Sequence, residues 1–262
     1  MSGPLTGPLE ARPKGGVDWL LEGGPRASIG ILTADLANLG AEVGLLERIG
    51  AEIVHIDVMD GVYCPQFTVG APIVKAIGPA LLRDVHLMVD DPLAKIEPIL
   101  AAGADIVTVH IERAGHPHRV FKALADLHAK LPGAERPLIR GIGLSPSQPV
   151  EAIEPFLDDV EFVLVLAIDP GWGGQSFIPG TIGRLARVRE IVARSGRRIG
   201  VGVDGGVTMA NVASLTGLGL DVIVTGSAVF DGKAAEENGR RMLDLVRGGA
   251  PVQAEPAQAA LA

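Results

Sequence analysis

The stretch "IVHIDVMDG", residues 53–61, has the β-branched composition of a strand but carries His55 and Asp57 two positions apart. Side chains alternate along a strand, so His55, Asp57 and Met59 share one face and Val54, Ile56 and Val58 the other. "DVHLMV", residues 84–89, repeats the device: Asp84, His86 and Met88 stand opposite Val85, Leu87 and Val89. A third run, "IGVGVDGG", ends on Asp204, out of phase with Val201 and Val203. Two imidazoles and two carboxylates drawn from three strands, His55, Asp57, His86 and Asp204, can hold a divalent ion such as Zn²⁺, Fe²⁺ or Mn²⁺. A lone strand histidine is usually a hydrogen-bonded core residue, and a lone aspartate at a strand end is often a helix cap. Four such groups on inward positions are better explained by a shared cation, since burying charge without a partner is very costly. His110, His116, His118 and His128 read as structural, and Cys64, with no second thiol to pair with, is given no chemistry.

Glycines form a second constellation. "DPGWGGQSF", "DGGV" and "GSAVF" each follow a strand-like run, and glycine in such loops lets backbone N–H groups approach an anion closely. Gly206, Gly226 and Ser227 fit a phosphate site, and "GWGGQ" has the composition of a lid that excludes water. One such loop alone would be an ordinary turn; three in succession favour a phosphorylated ligand.

These residues need a scaffold that gathers strand ends. Strand-like runs occur near 29–32, 53–58, 84–89, 106–110, 138–144, 162–167, 198–203 and 222–225. Amphipathic or Ala/Leu-rich stretches follow, as at 92–101, 117–130, 183–194 and 235–246. Seven steps from the first strand to the last give about 28 residues per unit, the size of a βα repeat. Eight units predict a (β/α)₈ barrel, whose chemistry lies at the carboxyl ends of the strands and whose phosphate site follows strands seven and eight. A doubly wound sheet would need a glycine-rich loop after its first strand, and "ILTADLANLG" has none. The division expected is a flexible extension over 1–24, one barrel domain over 25–247 and a disordered tail over 248–262.

Composition narrows the partners. The 262 residues are 47% hydrophobic but only 3% aromatic, which suits Val/Ile/Leu strands covered by Ala/Leu helices. A net charge of −8 argues against a nucleic-acid surface. The N-terminus lacks the apolar core of a secretion signal, and no apolar run is long enough to span a bilayer. One cysteine fits a reducing cytoplasm.

From about Ser28 to Phe230 the chain resembles the ribulose-phosphate 3-epimerases, through "GILTADLANLG", "HIDVMDG", "DVHLMVDDP", "GADIVTVHIE", "DPGWGGQSFIP", "VDGGV" and "GSAVF" in that order. The resemblance implies a metal-dependent (β/α)₈ barrel, commonly a homo-oligomer, that inverts carbon 3 of a phosphorylated ketopentose. It places one divalent ion (Zn, Fe(II), Mn or Co) on His55, Asp57, His86 and Asp204, with Asp57 and Asp204 doubling as acid and base. It places phosphate on Gly174, Gly206, Gly226 and Ser227, beside Gly205, and puts Met59 and Met88 over the reacting carbon. Several substrate-side positions depart from the family pattern: Gly30 for serine, Val62 for histidine, Gln66 for asparagine, Ser145 for asparagine and Leu166 for methionine. Those departures keep open another ketose phosphate, such as allulose 6-phosphate or a tetrulose phosphate. A sugar-phosphate decarboxylase or aldolase fits less well, because His86 stands where that class would carry a lysine. A binding protein that has lost catalysis fits poorly with four retained ligands.

Overall fold

The computed structural model describes residues 15–131 and 136–248. Eight parallel strands close in sequence order: β1 (Arg26–Gly30), β2 (Ile53–Met59), β3 (Leu82–Met88), β4 (Ile106–His110), β5 (Ile139–Leu144), β6 (Phe162–Leu166), β7 (Gly200–Asp204) and β8 (Val222–Thr225), with β8 returning to β1. The (β/α)₈ barrel expected from the repeat is the observed fold, and strand boundaries differ by a few residues at most from those expected.

A first helix, α1 (Gly16–Leu21), precedes the barrel, and α2 (Leu39–Arg48), α3 (Ala71–Ala76), α4 (Ile96–Ala101), α5 (Pro117–His128), α6 (Thr181–Ser195), α7 (Val212–Thr216) and α8 (Ala235–Arg247) surround it. The connection after β5 differs: Val150–Phe156 is a 3₁₀ segment with Pro155 inside it. Proline supplies no N–H and clashes with the preceding turn, so an α-helix cannot run through. The helix expected over 92–101 is likewise split, with a 3₁₀ turn at Pro92–Ala94 before α4.

Alternation sorts the strand residues into two cores. Val54, Ile56, Val58, Val85, Leu87, Val201 and Val203 face the helices. Inside the barrel, Ile53, Leu82, Ile106, Ile139, Phe162 and Val222 fill the end where the strands begin. Leu20 of α1 is fully buried among them, so α1 plugs that mouth. Arg26 ties α1 down, stacking 3.7 Å from the Trp19 ring centroid and donating to the carbonyls of Trp19 and Glu22. Gly16–Leu21, within the stretch expected as an extension, is thus a helix whose Leu20 supplies an apolar side chain to the barrel floor. Residues 1–14 and 249–262, assigned to the extension and the tail, lie outside the described residues. Among the described residues no helix is long and apolar enough to cross a membrane.

Candidate active site

The strand ends opposite the α1 plug are polar. β2 and β3 pair with Asp57 beside His86 and His55 beside Asp84, so their inward faces meet residue by residue. β7 brings Asp204 to the same height, level with Leu166 of β6. The result gathers all four expected ligands: one donor atom from each of His55, Asp57, His86 and Asp204 lies within 4.8 Å of the others.

The spacing fits a small cation. His55 Nε2 lies 3.3 Å from Asp57 Oδ1 and 3.9 Å from Asp204 Oδ2; His86 Nδ1 lies 3.4 Å and 3.5 Å from the same two atoms. Neighbouring donors around an ion with bonds of about 2.0–2.2 Å stand about 3–3.5 Å apart. His86 Nδ1 is buried without a hydrogen-bond partner, which leaves its lone pair free for a metal. The two histidines are almost fully buried, whereas Asp57 and Asp204 keep 15% and 20% of their side-chain surface exposed. The carboxylates are thus the members of the set that an incoming ligand can touch.

Support comes from behind. Asp84 Oδ2, with its residue fully buried, accepts from His55 Nδ1 at 2.8 Å and from the Ser28 hydroxyl at 2.8 Å. That contact puts the ring hydrogen on Nδ1 and turns the Nε2 lone pair to the cation site, the usual carboxylate–histidine–metal arrangement. Burial opposes charge on His55, but Asp84 and Asp57 outweigh it and raise its pKa well above the ordinary imidazole value. Burial would likewise raise Asp57, yet the neighbouring imidazoles win and hold it below the usual carboxylate range. His86 is raised against its own burial by Asp204 and Asp57.

The cleft above the cluster encloses ≈ 790 Å³ with its open mouth included. Met59 and Met88 line one side, and Gly174, Gly205, Gly206, Gly226 and Ser227 line the other. Gly206 has φ of +65°, and a Cβ there would come within 2.7 Å of the Phe177 backbone nitrogen, so the loops after β6 and β7 interlock only because this residue is glycine. Of the substrate-side departures, Gly30 and Leu166 line the cleft, while Val62 and Gln66 are exposed residues outside its lining. Trp172, half exposed in the "GWGGQ" loop, overhangs the mouth.

Sequence reasoning missed three contributors. Asp84 was visible as the residue in phase with His86, but a second-row role leaves no motif. Asp60 accepts from the backbone N–H groups of Val62, Tyr63 and Asp90 and so fastens the loop after β2 to the one after β3. His110, read as structural, has its Nε2 2.8 Å from Nε2 of His86 and belongs to the site. The signal was its place as the last inward residue of β4. Cys64 packs against Met59 and Met88 as an apolar side chain.

Fold and site together define a class: a (β/α)₈-barrel enzyme with a cluster able to hold a divalent cation at the carboxyl ends of its strands. Residues 26–230 match the model of the Ribulose-phosphate 3 epimerase family. The chloroplastic ribulose-5-phosphate-3-epimerase of Arabidopsis thaliana is 40% identical over 207 residues, 78% of this chain and 70% of that one. The ribulose-phosphate 3-epimerase of Bacillus subtilis (strain 168) is 35% identical over 221 residues, 83% of this chain and 96% of that one. Among solved structures, the 3-hexulose-6-phosphate synthase of Salmonella typhimurium superposes with a TM-score of 0.62 at 16% identity, over 86% of this chain and 100% of that one. At that identity the likeness is one of fold. The chain belongs to the ribulose-phosphate 3-epimerase family, whose members are isomerase-class enzymes.

Proposed function

We propose that the protein epimerises carbon 3 of a phosphorylated ketose, converting D-ribulose 5-phosphate to D-xylulose 5-phosphate. The observation that carries this reading is the convergence of two carboxylates and two imidazoles within 4.8 Å beneath a glycine-walled cleft. Inverting a carbon next to a carbonyl means taking a proton from one face and returning one to the other, which needs two groups. Asp57 on β2 and Asp204 on β7 approach the cleft from different walls and are the partly exposed members of the cluster. The ionised aspartate takes the proton and the protonated one supplies the other, with roles exchanged in the reverse direction.

His55, Asp57, His86 and Asp204 would hold one divalent ion, of the Zn, Fe(II), Mn or Co type that this mixed donor set suits. When bound, the ion supplies positive charge beside the substrate oxygens on which negative charge develops. Met59 and Met88 give the reacting carbon an apolar, polarisable wall that keeps water from quenching the carbanionic intermediate. The backbone N–H groups around Gly174, Gly205, Gly206 and Gly226, with the Ser227 hydroxyl, hold the phosphate. The loop with Trp172 closes over the substrate. The absence of a side chain at Gly30 supports a second reading in which a longer ketose phosphate is also accepted. A cytoplasmic homo-oligomer completes the proposal, supported by the buried lone thiol of Cys64 and the exposed apolar side chains of Val62 and Phe67.

The deciding experiment incubates the metal-loaded protein with ribulose 5-phosphate in heavy water. Deuterium at carbon 3 together with xylulose-configured product is expected. Failure to exchange or epimerise any member of a panel of ketose phosphates would refute the reading.

A further inference from the structure

The cation-site reading requires a particular tautomer of His86, and the structure contains a device that selects it. His86 presents Nδ1 to the cluster, so its ring hydrogen must sit on Nε2. That Nε2 faces Nε2 of His110 at 2.8 Å. Two facing imidazole nitrogens form a hydrogen bond only when one carries hydrogen and the other a lone pair. The rings are chemically equivalent and cannot decide the direction between themselves.

The far side of His110 decides it. His110 Nδ1 lies 3.2 Å from Oε1 of Glu112 and 3.2 Å from Oγ of Ser145. The same Glu112 oxygen accepts from the hydroxyls of Ser145 at 2.6 Å and Tyr63 at 2.9 Å. Burial would raise the Glu112 pKa, but its hydrogen bonds to His110 and Ser145 hold it at about 2, so it is a carboxylate near neutrality. A carboxylate only accepts. The hydrogen of His110 therefore sits on Nδ1, its Nε2 offers a lone pair, His86 Nε2–H donates to it, and His86 Nδ1 is left free. The space for this arrangement is made by the neighbouring strand: His110 pairs with Gly143, where a Cβ would come within 2.8 Å of the imidazole.

We propose that Glu112 and His110 are positioning residues, a hydrogen-bond relay whose polarity fixes the metal-ready tautomer of His86. The inference rests on the cation-site reading above and deepens it. Neither residue lines the cleft; both act through His86.

Glu112→Gln tests the relay, because the amide keeps the shape of the side chain while its NH₂ can donate to His110 Nδ1. Donation there reverses the chain of hydrogen bonds and puts hydrogen on His86 Nδ1. With Co²⁺ alone as probe, equilibrium dialysis and the visible d–d spectrum of the protein should show binding weakened about 10–100-fold and an altered band. The melting temperature of the metal-free protein should stay near that of the wild type. Tyr63→Phe removes one donor to Glu112 without reversing the polarity and should keep wild-type Co²⁺ affinity. A second measurement needs no variant: long-range ¹H–¹⁵N spectra of the Zn²⁺-loaded wild type should show His110 as the Nδ1–H tautomer and His86 as Nε2–H. The opposite tautomers would overturn the proposal, as would wild-type Co²⁺ affinity and spectrum in Glu112→Gln or an equal loss in Tyr63→Phe. A wild type that takes up no Co²⁺ at all would sink the cation site itself, a failure distinct from a relay that binds metal but does not depend on Glu112.

Discussion

Replacing Gly30 by serine should sharpen the preference for ribulose 5-phosphate without cost to the fold. Gly30 is the last residue of β1, faces the cleft and stands where the family pattern carries a serine. A Cβ built there meets nothing closer than the Gly226 Cα at 3.7 Å, then the Thr225 carbonyl oxygen at 3.8 Å and the Gly226 nitrogen at 4.0 Å. Those are ordinary van der Waals distances. Across the gap, a Cβ on Gly226 would come within 3.2 Å of the Gly30 carbonyl oxygen and the Thr33 hydroxyl, so the same experiment at Gly226 would strain the wall. The backbone of Gly30 is not left-handed, and side chains added at compatible glycines gain about 0.4–1 kcal/mol by restricting the unfolded chain. The Gly30→Ser variant should therefore melt at or slightly above the wild-type temperature. A hydroxyl that hydrogen-bonds to substrate contributes about 0.5–1.5 kcal/mol, roughly a 2- to 13-fold change in kcat/KM. Coupled assays on ribulose 5-phosphate and allulose 6-phosphate would read it: kcat/KM for the pentulose should rise by that factor, and its ratio to the hexulose value should rise as well. A fall in melting temperature of several degrees would show that the wall has no such space. An unchanged ratio would show that the substrate never reaches β1, and the account of specificity would fail.

Three other perturbations follow from the same geometry. Asp57→Asn and Asp204→Asn should each lower epimerisation about 10²–10⁴-fold, the range for loss of one proton carrier, while one of the two epimers still exchanges its carbon 3 proton with heavy water in each variant. Full turnover in either variant, with metal content verified, would remove the two-base mechanism. Chelation should destabilise the protein: a site held at 100 times its dissociation constant contributes about 2.7 kcal/mol, or roughly 5–10 °C in melting temperature for a domain of this size, and excess Co²⁺ or Zn²⁺ should restore it. Leu20→Ala, by opening a cavity in the barrel floor, should cost about 2–5 kcal/mol by urea denaturation, whereas a loss near zero would mean that α1 is a dispensable arm.

The sequence carried the barrel because strands buried on both faces read as β-branched runs, and the runs recur at the spacing of a βα unit. It carried the four cluster residues because a two-residue period is visible wherever polar side chains interrupt an apolar strand. Other parts of the structure leave no such periodic trace. Gly16–Leu21 is too short for a helical period and begins amid glycine and proline, so its role as a plug depends on the apolar ring of Ile53, Leu82, Ile106 and Phe162 that only the closed barrel assembles. After β5 the repeat's helix is replaced by a 3₁₀ segment with Pro155 inside it, a break that the spacing of the strands does not announce. Asp84, His110 and Glu112 touch other side chains of the site, and such contacts are set by side-chain distances across paired strands that no spacing along the chain reports.

The barrel interior is divided along its axis, and the division explains how it tolerates its own site. Near the α1 plug, Leu20, Phe162 and their neighbours are fully buried and apolar, and burial of each such side chain stabilises by about 1.5–3 kcal/mol. Toward the other mouth, Ser28, His55, Asp84, His86 and His110 are almost fully buried and polar, an arrangement that destabilises unless each group finds a partner. Most do: Asp84 takes two hydrogen bonds on one oxygen, and His110 bridges His86 to Glu112. Two atoms of this group are left over, Oδ1 of Asp84 and Nδ1 of His86, and the one within the cluster, with its two aspartates at 3.4 and 3.5 Å, is the His86 Nδ1. A folded protein optimised for stability alone would fill that position with a hydrogen bond or a methyl group. A lone pair kept there fits an ion as the missing partner, and on that reading removal of metal should lower stability and activity together.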